Sequence, residues 1–226
     1  MKDTKNKTKI EIATWKRREH YAFFKNFEQP FWGVTTAVDC TEAYHYCKEK
    51  NLSFFAFYLH KSLLAANTIK EFRYRIEGDD VFEYGEISGS VTVLREDETF
   101  GFANFAYHSN FESFSAGIEI SLSQEKKSQG LTPDFELISL IHYSVLPLVN
   151  FTGFQHAQKL GTKHSIPQIV FGKFHLSEGR VKLPVSVHVH HALCDGIHVG
   201  KFIQLFEAAL AMQNMETYHG FGSSVV

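Results

Sequence analysis

The sequence predicts an α/β domain in which several helices pack against a large β-sheet. The 226 residues are 44% hydrophobic and 15% aromatic, enough to fill the core of one domain. Segments with strand-like alternation are mixed along the chain with segments of helical spacing. Because no linker or internal repeat divides the chain, we expect a single domain over residues 1–226, with a flexible tail at 214–226.

The N-terminal half is predicted to combine short strands with amphipathic helices. Ile10 and Ile12 alternate with charged residues, as in a short strand, and residues 15–27 have helical spacing. Thr41 and Ser53 are suitable N-caps. The remaining predicted elements are a strand over 32–40, helices to about Lys50 and Asn67, and strands over 72–76, 81–84, 88–94 and 99–107.

The C-terminal half is predicted to end in a long strand and a long helix. Asn110 can cap a helix that ends near Gly130, and residues 137–146 and 168–174 are strand candidates. A Ser-Glu-Gly-Arg turn within a hairpin at 176–181 leads into a strand over 181–191. The final helix is predicted over residues 197–212.

Composition and charge exclude several classes of protein. Lys and Arg number 23 against 25 Asp and Glu, which leaves no broad basic surface for nucleic acid or anionic membrane. The most apolar segment, 54–66, is interrupted by polar residues and is too short to span a bilayer. Cys40, Cys47 and Cys194 have no C-x-x-C spacing, as expected of free thiols in a reducing compartment. We therefore expect a soluble cytoplasmic protein.

The strongest local pattern surrounds the histidines at the end of the strand predicted over 181–191. Apolar residues occupy alternate positions from Val181 to Val189, and His191 continues that series. His188 and His190 belong to the opposite, polar face. Partial burial disfavours a charged imidazole, and a neutral imidazole can act as a general base. The pattern therefore marks His191 as a candidate base, although a hydrogen-bonded structural histidine would fit it as well.

Other interpretations of this segment carry different weights. Asp195 is equally suited to cap the helix that follows it, and Cys194 is expected to be buried packing. His188, His190, Asp195 and His198 could supply metal ligands, but they lack the H-E-x-x-H or Cys/His spacing of zinc sites, so no metal is expected. The sequence also lacks the phosphate-binding G-x-x-x-x-G-K-[ST] motif and the G-x-S-x-G motif of serine hydrolases.

Residues 190–200, H-H-A-L-C-D-G-I-H-V-G, closely resemble the H-H-A-V-C-D-G-F-H-V signature of the chloramphenicol acetyltransferase family. The shorter core H-x-x-x-D-G is shared with dihydrolipoyl acyltransferase catalytic domains. Further segments resemble the family's W-x-R-R-E-H, E-T-F, P-W-V-N-F and L-P-L-S-V in the same order, at 15–20, 98–100, 147–151 and 183–187. The resemblance therefore extends over nearly the whole chain.

This resemblance implies a two-layer α/β sandwich, with a large mixed sheet, that assembles as a homotrimer with active sites at subunit interfaces. Acetyl-CoA would be the co-substrate, and no metal would be needed. His191 would remove the proton of an acceptor hydroxyl, which then attacks the thioester without an acetyl-enzyme. Asp195 would pair with Arg17 and hold the geometry of the site.

The resemblance also identifies departures from the family's pattern. Gly153 stands where the family has a serine whose hydroxyl stabilises the oxyanion, and Thr152 or a backbone N–H near Gly153 could replace it. A turn with positive φ would be the structural interpretation of Gly153.

The acceptor pocket that the resemblance implies is altered as well. Phe100 is retained, whereas Phe102 replaces a small alanine, Phe24 and His164 replace common tyrosines, and Val170 replaces a threonine. We expect O-acetylation of chloramphenicol, the activity of an antibiotic-resistance enzyme. The alternatives are the same chemistry on another small acceptor, or a non-catalytic family member acting as a binding trimer.

Overall fold

The computed structural model describes residues 6–131, 134, 136–157 and 164–211. Its strands are β1 (Lys7–Lys9), β2 (Phe31–Asp39), β3 (Tyr74–Glu77), β4 (Asp80–Tyr84), β5 (Ser88–Leu94), β6 (Phe100–Phe105), β7 (Leu140–Val145), β8 (Gln168–Phe171), β9 (His175–Ser177) and β10 (Arg180–His190). Its helices are α1 (Arg18–Phe24), α2 (Thr41–Glu49), α3 (Phe54–Thr68), α4 (Lys70–Arg73), α5 (Phe111–Lys126) and α6 (Gly196–Ala211), with a 3-10 helix at Ile12–Thr14.

The strands form a large mixed sheet and a small antiparallel one. The large sheet has the order β2-β10-β8-β7-β5-β6, with β9 also pairing with β10, and its β5-β7 and β7-β8 pairs are parallel. The small sheet has the order β1-β4-β3. Helices α2, α3, α5 and α6 pack against one face of the large sheet and enclose the main core. The predicted sandwich of helices on a large mixed sheet is confirmed, and the separate small sheet is an addition to it.

Two of the three predicted N-caps begin long helices, whereas Thr41 is the first residue of α2 and follows the N-cap Cys40. Ser53 Oγ accepts a hydrogen bond from the Ala56 N–H at 3.2 Å, and Asn110 Oδ1 accepts one from the Ser113 N–H at 2.9 Å. Each satisfies a backbone donor that has no partner within its helix. The caps therefore start α3 and α5 where the sequence predicts.

The N-terminal predictions were only partly correct. The predicted helix at 15–27 shortens to α1, because Trp15 lies before it and packs edge-on against Tyr74, with ring centroids 5.5 Å apart. The strand expected around Ile10 and Ile12 lies earlier, in β1, and Ile12 begins the 3-10 helix. The apolar spacing correctly predicted that Ile10, Ile12 and Trp15 are partly buried, but their contacts with the small sheet determine the backbone conformation.

Several further elements also differ from the predictions. Phe72 belongs to α4 rather than to a strand, β8 ends at Phe171, α5 ends at Lys126, and β6 is shorter than the segment 99–107. Gly130 lies beyond α5 with a φ of 75°. The end predicted at residue 212 and the tail at 214–226 lie outside the described residues.

Strand β10 is buried on both faces for most of its length. Val181, Leu183, Val185, Val187 and Val189 belong to the core beneath the helices. The opposite face, which the sequence marks as polar, is also buried, and His188 and His190 are 9% and 4% exposed. The alternation thus predicts the two faces correctly, but not the burial of the second.

Among the described residues, no helix is both long and apolar enough to cross a membrane. The three cysteines are free, as predicted, and all three are buried, which was predicted only for Cys194. Burial raises the pKa of the Cys47 thiol to about 11, so this thiol is un-ionised at neutral pH.

Stability should fall as the pH is lowered from 6.5 to 4. Burial, followed by the charge of Lys61, lowers the pKa of His60 from 6.5 to about 4, so the unfolded chain binds a proton that the folded chain excludes. His60→Gln should flatten the plot of unfolding free energy against pH by up to about 1.4 kcal/mol per pH unit. Denaturant titrations across this range measure it. His45→Gln, at an exposed position, is the control, and an unchanged slope in His60→Gln would contradict the prediction.

Candidate active site

His191 follows the last residue of β10 and stands between two aromatic rings. Its ring stacks on Phe24, with centroids 4.0 Å apart and planes at 12°, and lies 5.4 Å from the ring of Trp32. The His191 N–H donates to the Pro30 carbonyl at 2.8 Å. The side chain is 35% exposed, so it is partly buried yet reachable. The strand alternation and the neighbouring rings therefore present one side of this imidazole to solvent.

Arg17 and Asp195 form a bidentate ion pair beside His191. Nη1 of Arg17 donates to Oδ2 of Asp195, and Nη2 donates to Oδ1 at 3.0 Å. Nη2 also donates to the His191 carbonyl at 3.3 Å. The hydrogen bond from Arg17 is the main cause that lowers the pKa of Asp195, which is therefore ionised at neutral pH. Arg17 thus joins the segment before α1 to the loop after β10.

The carboxylate of Asp195 also lies close to the imidazole. His191 Nδ1 is buried, forms no hydrogen bond and lies 3.3 Å from Oδ1 of Asp195. A carboxylate in this position favours the tautomer that carries its proton on Nδ1. That tautomer leaves the lone pair on Nε2 for a substrate.

Asp195 occupies the N-cap position of α6, but its side chain is not the cap. Its carbonyl accepts from the N–H groups of His198 and Val199, as an N-cap carbonyl does, while its carboxylate binds Arg17. The N–H of Asp195 instead donates to His198 Nδ1 at 2.9 Å. The interpretation of Asp195 as a side-chain N-cap was wrong, because the buried guanidinium is the stronger partner.

Neighbouring groups in the signature are structural. Cys194 is buried and its thiol donates to the Glu71 carbonyl at 3.2 Å; burial also raises its pKa well above the usual range. His190 Nδ1 accepts from the Ala192 N–H at 3.2 Å, and burial, with His164 and His191 nearby, lowers the pKa of His190 to about 4. Neither group is positioned as the base or nucleophile.

The candidate acceptor residues lie mainly on the face of the large sheet opposite the helices. Val170 is paired with Ser144 and Ser186 on the neighbouring strands and is fully buried. Phe100 and Phe102 alternate in β6 with residues of the helix-side core, and their rings make an edge contact with centroids 5.6 Å apart. These three residues lie on the same face of the sheet, and none of them contacts His191.

The remaining candidates lie in three places. Phe24 stacks on His191, whereas His164 packs on Phe31, with centroids 4.8 Å apart. Thr152 and Gly153 are exposed in the segment after β7. Within the described part of the chain, no hydrogen bond, ion pair or ring contact links His191 with Thr152, Gly153, Phe100, Phe102 or Val170.

Gly153 does not have the positive φ that a glycine-requiring turn would impose, so that interpretation was wrong. A Cβ added there would meet nothing within 4 Å. The position could therefore hold a larger side chain without a clash. Over the ranges that the structure covers, no cluster of three or more His, Cys, Asp or Glu side chains is arranged to hold a metal ion.

Comparisons with known proteins identify the family of this chain. A family model described as chloramphenicol acetyltransferase matches residues 5–207. Chloramphenicol acetyltransferase 3 of Escherichia coli is 31% identical over 205 residues, which cover 88% of this chain and 94% of the relative. The chain belongs to the chloramphenicol acetyltransferase family. It is an acyltransferase, as predicted.

Two further chloramphenicol acetyltransferases agree with this assignment, and a third match shares only the fold. Chloramphenicol acetyltransferase 2 of Escherichia coli is 30% identical over 89% of this chain and 96% of its own length. A solved chloramphenicol acetyltransferase structure superposes with a TM-score of 0.82 at 30% identity, covering 91% of this chain and all of that one. A probable dihydrolipoamide acetyltransferase from Listeria monocytogenes 4b F2365, at 16% identity and a TM-score of 0.59, shares the fold.

Two residues that contact this candidate site were not predicted from the sequence. Trp32 lies beside His191 and its Nε1–H donates to the Cys194 carbonyl at 3.0 Å. Glu71 lies with Oε1 3.5 Å from His198 Nε2. Both come from segments more than 100 residues away in sequence, so only the pairing of β2 with β10 and the packing of α4 bring them here. The only feature of the sequence that could have suggested Glu71 is His198 within the signature, since a partly buried histidine there needs a polar partner.

Removing the guanidinium of Arg17 should destabilise the protein. Arg17→Met leaves the partly buried Asp195 carboxylate without its partner, and we expect a loss of about 1–3 kcal/mol in unfolding free energy, between the values of exposed and buried pairs. Arg18→Met breaks a largely exposed contact with Glu19 and should cost much less. Denaturant unfolding measures both.

A double-mutant cycle tests the coupling. If Arg17→Met costs as much in an Asp195→Asn background as in the wild type, the ion pair does not stabilise the fold.

Proposed function

We propose that this protein is an acetyl-CoA-dependent O-acetyltransferase that acetylates a hydroxyl group of chloramphenicol, with His191 as general base. The observation that carries the proposal is the Arg17–Asp195 ion pair, which holds a carboxylate 3.3 Å from Nδ1 of a half-buried imidazole. The names of the 31% and 30% identical relatives support the choice of acceptor. Such an enzyme inactivates the antibiotic.

The chemistry needs one proton shuttle and no metal or acetyl-enzyme. Nε2 of His191 takes the acceptor's hydroxyl proton as the oxygen attacks the thioester carbonyl of acetyl-CoA. The tetrahedral intermediate collapses with cleavage of the C–S bond, and the imidazolium returns its proton to the CoA thiolate. The products are the acetyl ester and CoA, and His191 is neutral again. Asp195 stabilises the transient imidazolium, and Arg17 keeps the carboxylate in place.

We also propose a homotrimer whose active sites lie between subunits. In one chain, His191 lies at the end of β10 near α1, whereas Phe100, Phe102 and Val170 lie across the opposite face of the sheet. These groups would meet if the sheet face of one copy faced His191 of the next. Exposed apolar side chains, Phe100 in β6 and Val149 in the segment after β7 among them, are consistent with a covered surface.

A second candidate is the same chemistry on a different small acceptor. Phe24, Phe102 and Val170 make the proposed pocket bulkier and poorer in hydroxyl groups than the family's pattern, which favours a more apolar alcohol. Phe24 is the clearest case, because it stacks directly on His191 and has no hydroxyl to offer an acceptor. An acceptor panel that includes amines and lipoyl-type thiols separates the two candidates.

The first test is acetyl-CoA-dependent release of CoA with chloramphenicol. His191→Ala should lower turnover by at least about 10²-fold because the hydroxyl then loses its base. His45→Ala, on the exposed face of α2, is the matched control and should keep wild-type turnover. Turnover of chloramphenicol no higher than background rejects this acceptor, and CoA binding without turnover of any acceptor supports a non-catalytic binding role. Near-normal activity of His191→Ala rejects the mechanism.

Restoring a hydroxyl at Gly153 should raise turnover. If the backbone near Gly153 or Thr152 is a weaker oxyanion donor than a serine, Gly153→Ser should increase kcat by about 10-fold, less than the 10²–10³ that one such donor can supply. Gly153→Ala separates the hydroxyl from the added bulk, and both side chains fit because a Cβ meets nothing within 4 Å. Equal kcat values for Gly153→Ser and Gly153→Ala would show that the hydroxyl has no effect.

A further inference from the structure

His198 is the residue of the signature that the mechanism above leaves unused. It lies in the first turn of α6, and its side chain is 13% exposed. Its Nδ1 accepts the N–H of Asp195 at 2.9 Å. This contact fixes the backbone of the residue whose carboxylate lies beside His191 Nδ1.

The hydrogen bond defines the protonation state of His198. Because Nδ1 is an acceptor, it carries no proton, and the neutral ring bears its hydrogen on Nε2. That nitrogen faces Oε1 of Glu71 at 3.5 Å. A carboxylate in this place favours the same tautomer, so Glu71 and the Asp195 N–H select one ring orientation together.

The backbone of Glu71 is itself held by a side chain next to the site. Its carbonyl accepts the thiol of Cys194, the residue before Asp195. Short helix α4, which carries Glu71, therefore contacts the 194–198 segment through two independent atoms. The arrangement resembles a capping box, with an imidazole in place of the usual Glu or Gln three residues after the N-cap.

We propose that Glu71 and His198 form a positioning pair for the acetyl-transfer site: the imidazole of His198 sets the backbone of Asp195, and through it the carboxylate beside His191. This inference deepens the proposed function and rests on it for its kinetic readout. Neither residue touches the reacting atoms. Arg17 restrains the carboxylate of Asp195 from one side, and His198 restrains its peptide from the other.

Protonation of His198 would remove the acceptor and so disturb the site. Its ring is faced by Glu71 from α4, by Arg17 from the segment before α1, and by Asp195 and Lys201 from its own segment and helix. Burial is the main cause that lowers the pKa of His198, so the neutral form dominates at neutral pH. Acid should therefore impair the enzyme through protonation of His198.

Two nearly isosteric substitutions test the proposal. In His198→Asn the side-chain oxygen replaces Nδ1 as an acceptor that does not titrate. The leucine of His198→Leu has nearly the same shape as that asparagine but offers no acceptor. His198→Leu should lower kcat by about 10-fold, since a misplacement of about 1 Å can cost about 10²-fold, with little change in the KM for acetyl-CoA. His198→Asn should recover most of kcat and show a shallower acid limb of the pH profile.

A second readout does not depend on turnover. In protein labelled with ¹⁵N-histidine, long-range ¹H–¹⁵N spectra should show His198 as the neutral Nε2–H tautomer. The ring protons of His191, which lie over Phe24, should shift more in His198→Leu than in His198→Asn. Glu71→Gln, which keeps an acceptor, should change them less than Glu71→Leu.

The outcomes separate this inference from the proposed function. If the wild type turns over no acceptor, the proposed function fails, and the spectra alone decide whether His198 positions His191. A His198 proton on Nδ1, or His191 signals that are unchanged in His198→Leu, would overturn the positioning pair. So would an equal loss of kcat and thermal stability in the Asn and Leu variants, which is the result for a residue that only stabilises the fold.

Discussion

Burial of β10 on both faces is the constraint on which the site depends. A strand in the middle of a sheet offers each side chain only one of two faces, and here the odd-numbered residues from Val181 to Val189 enter the helix-side core. A shift of the register by one residue would place five apolar side chains on the wrong face. Hydrophobic packing of β10, rather than any catalytic contact, therefore determines the direction of the chain at His191.

Arg17 and Asp195 transmit this order to the rest of the site. Their ion pair joins the start of α1 to the loop between β10 and α6, two segments 178 residues apart. α1 carries Phe24, which covers one face of the His191 ring. One charged contact thus fixes the imidazole, its neighbouring ring and the start of α6. The partly buried Asp195 carboxylate is stabilised because both of its oxygens accept hydrogen bonds from Arg17.

The departures from the family's pattern affect one side of the proposed reaction. The histidine, aspartate and arginine that would handle the proton are present and in contact. Gly153, Phe102 and Val170, which would meet the acceptor and the oxyanion, differ from the family's pattern and lie away from His191 in a single chain. Proton transfer is therefore the part of the proposed chemistry that the described contacts support, and acceptor choice is where we propose that this protein differs from its relatives.

The sequence by itself determined the fold class, the caps of α3 and α5, the two faces of β10 and the identity of His191 as the outstanding histidine, because these depend on local hydrogen bonds and on period-two burial. The ordered motifs also predicted the Arg17–Asp195 pair. Only the tertiary structure decided that the second face of β10 is buried and that α1 is short. It also decided that the Asp195 side chain binds Arg17 while His198 accepts the Asp195 N–H, and that Glu71 and Trp32 join the site. Each of these depends on contacts between segments distant in sequence, and no local pattern records them.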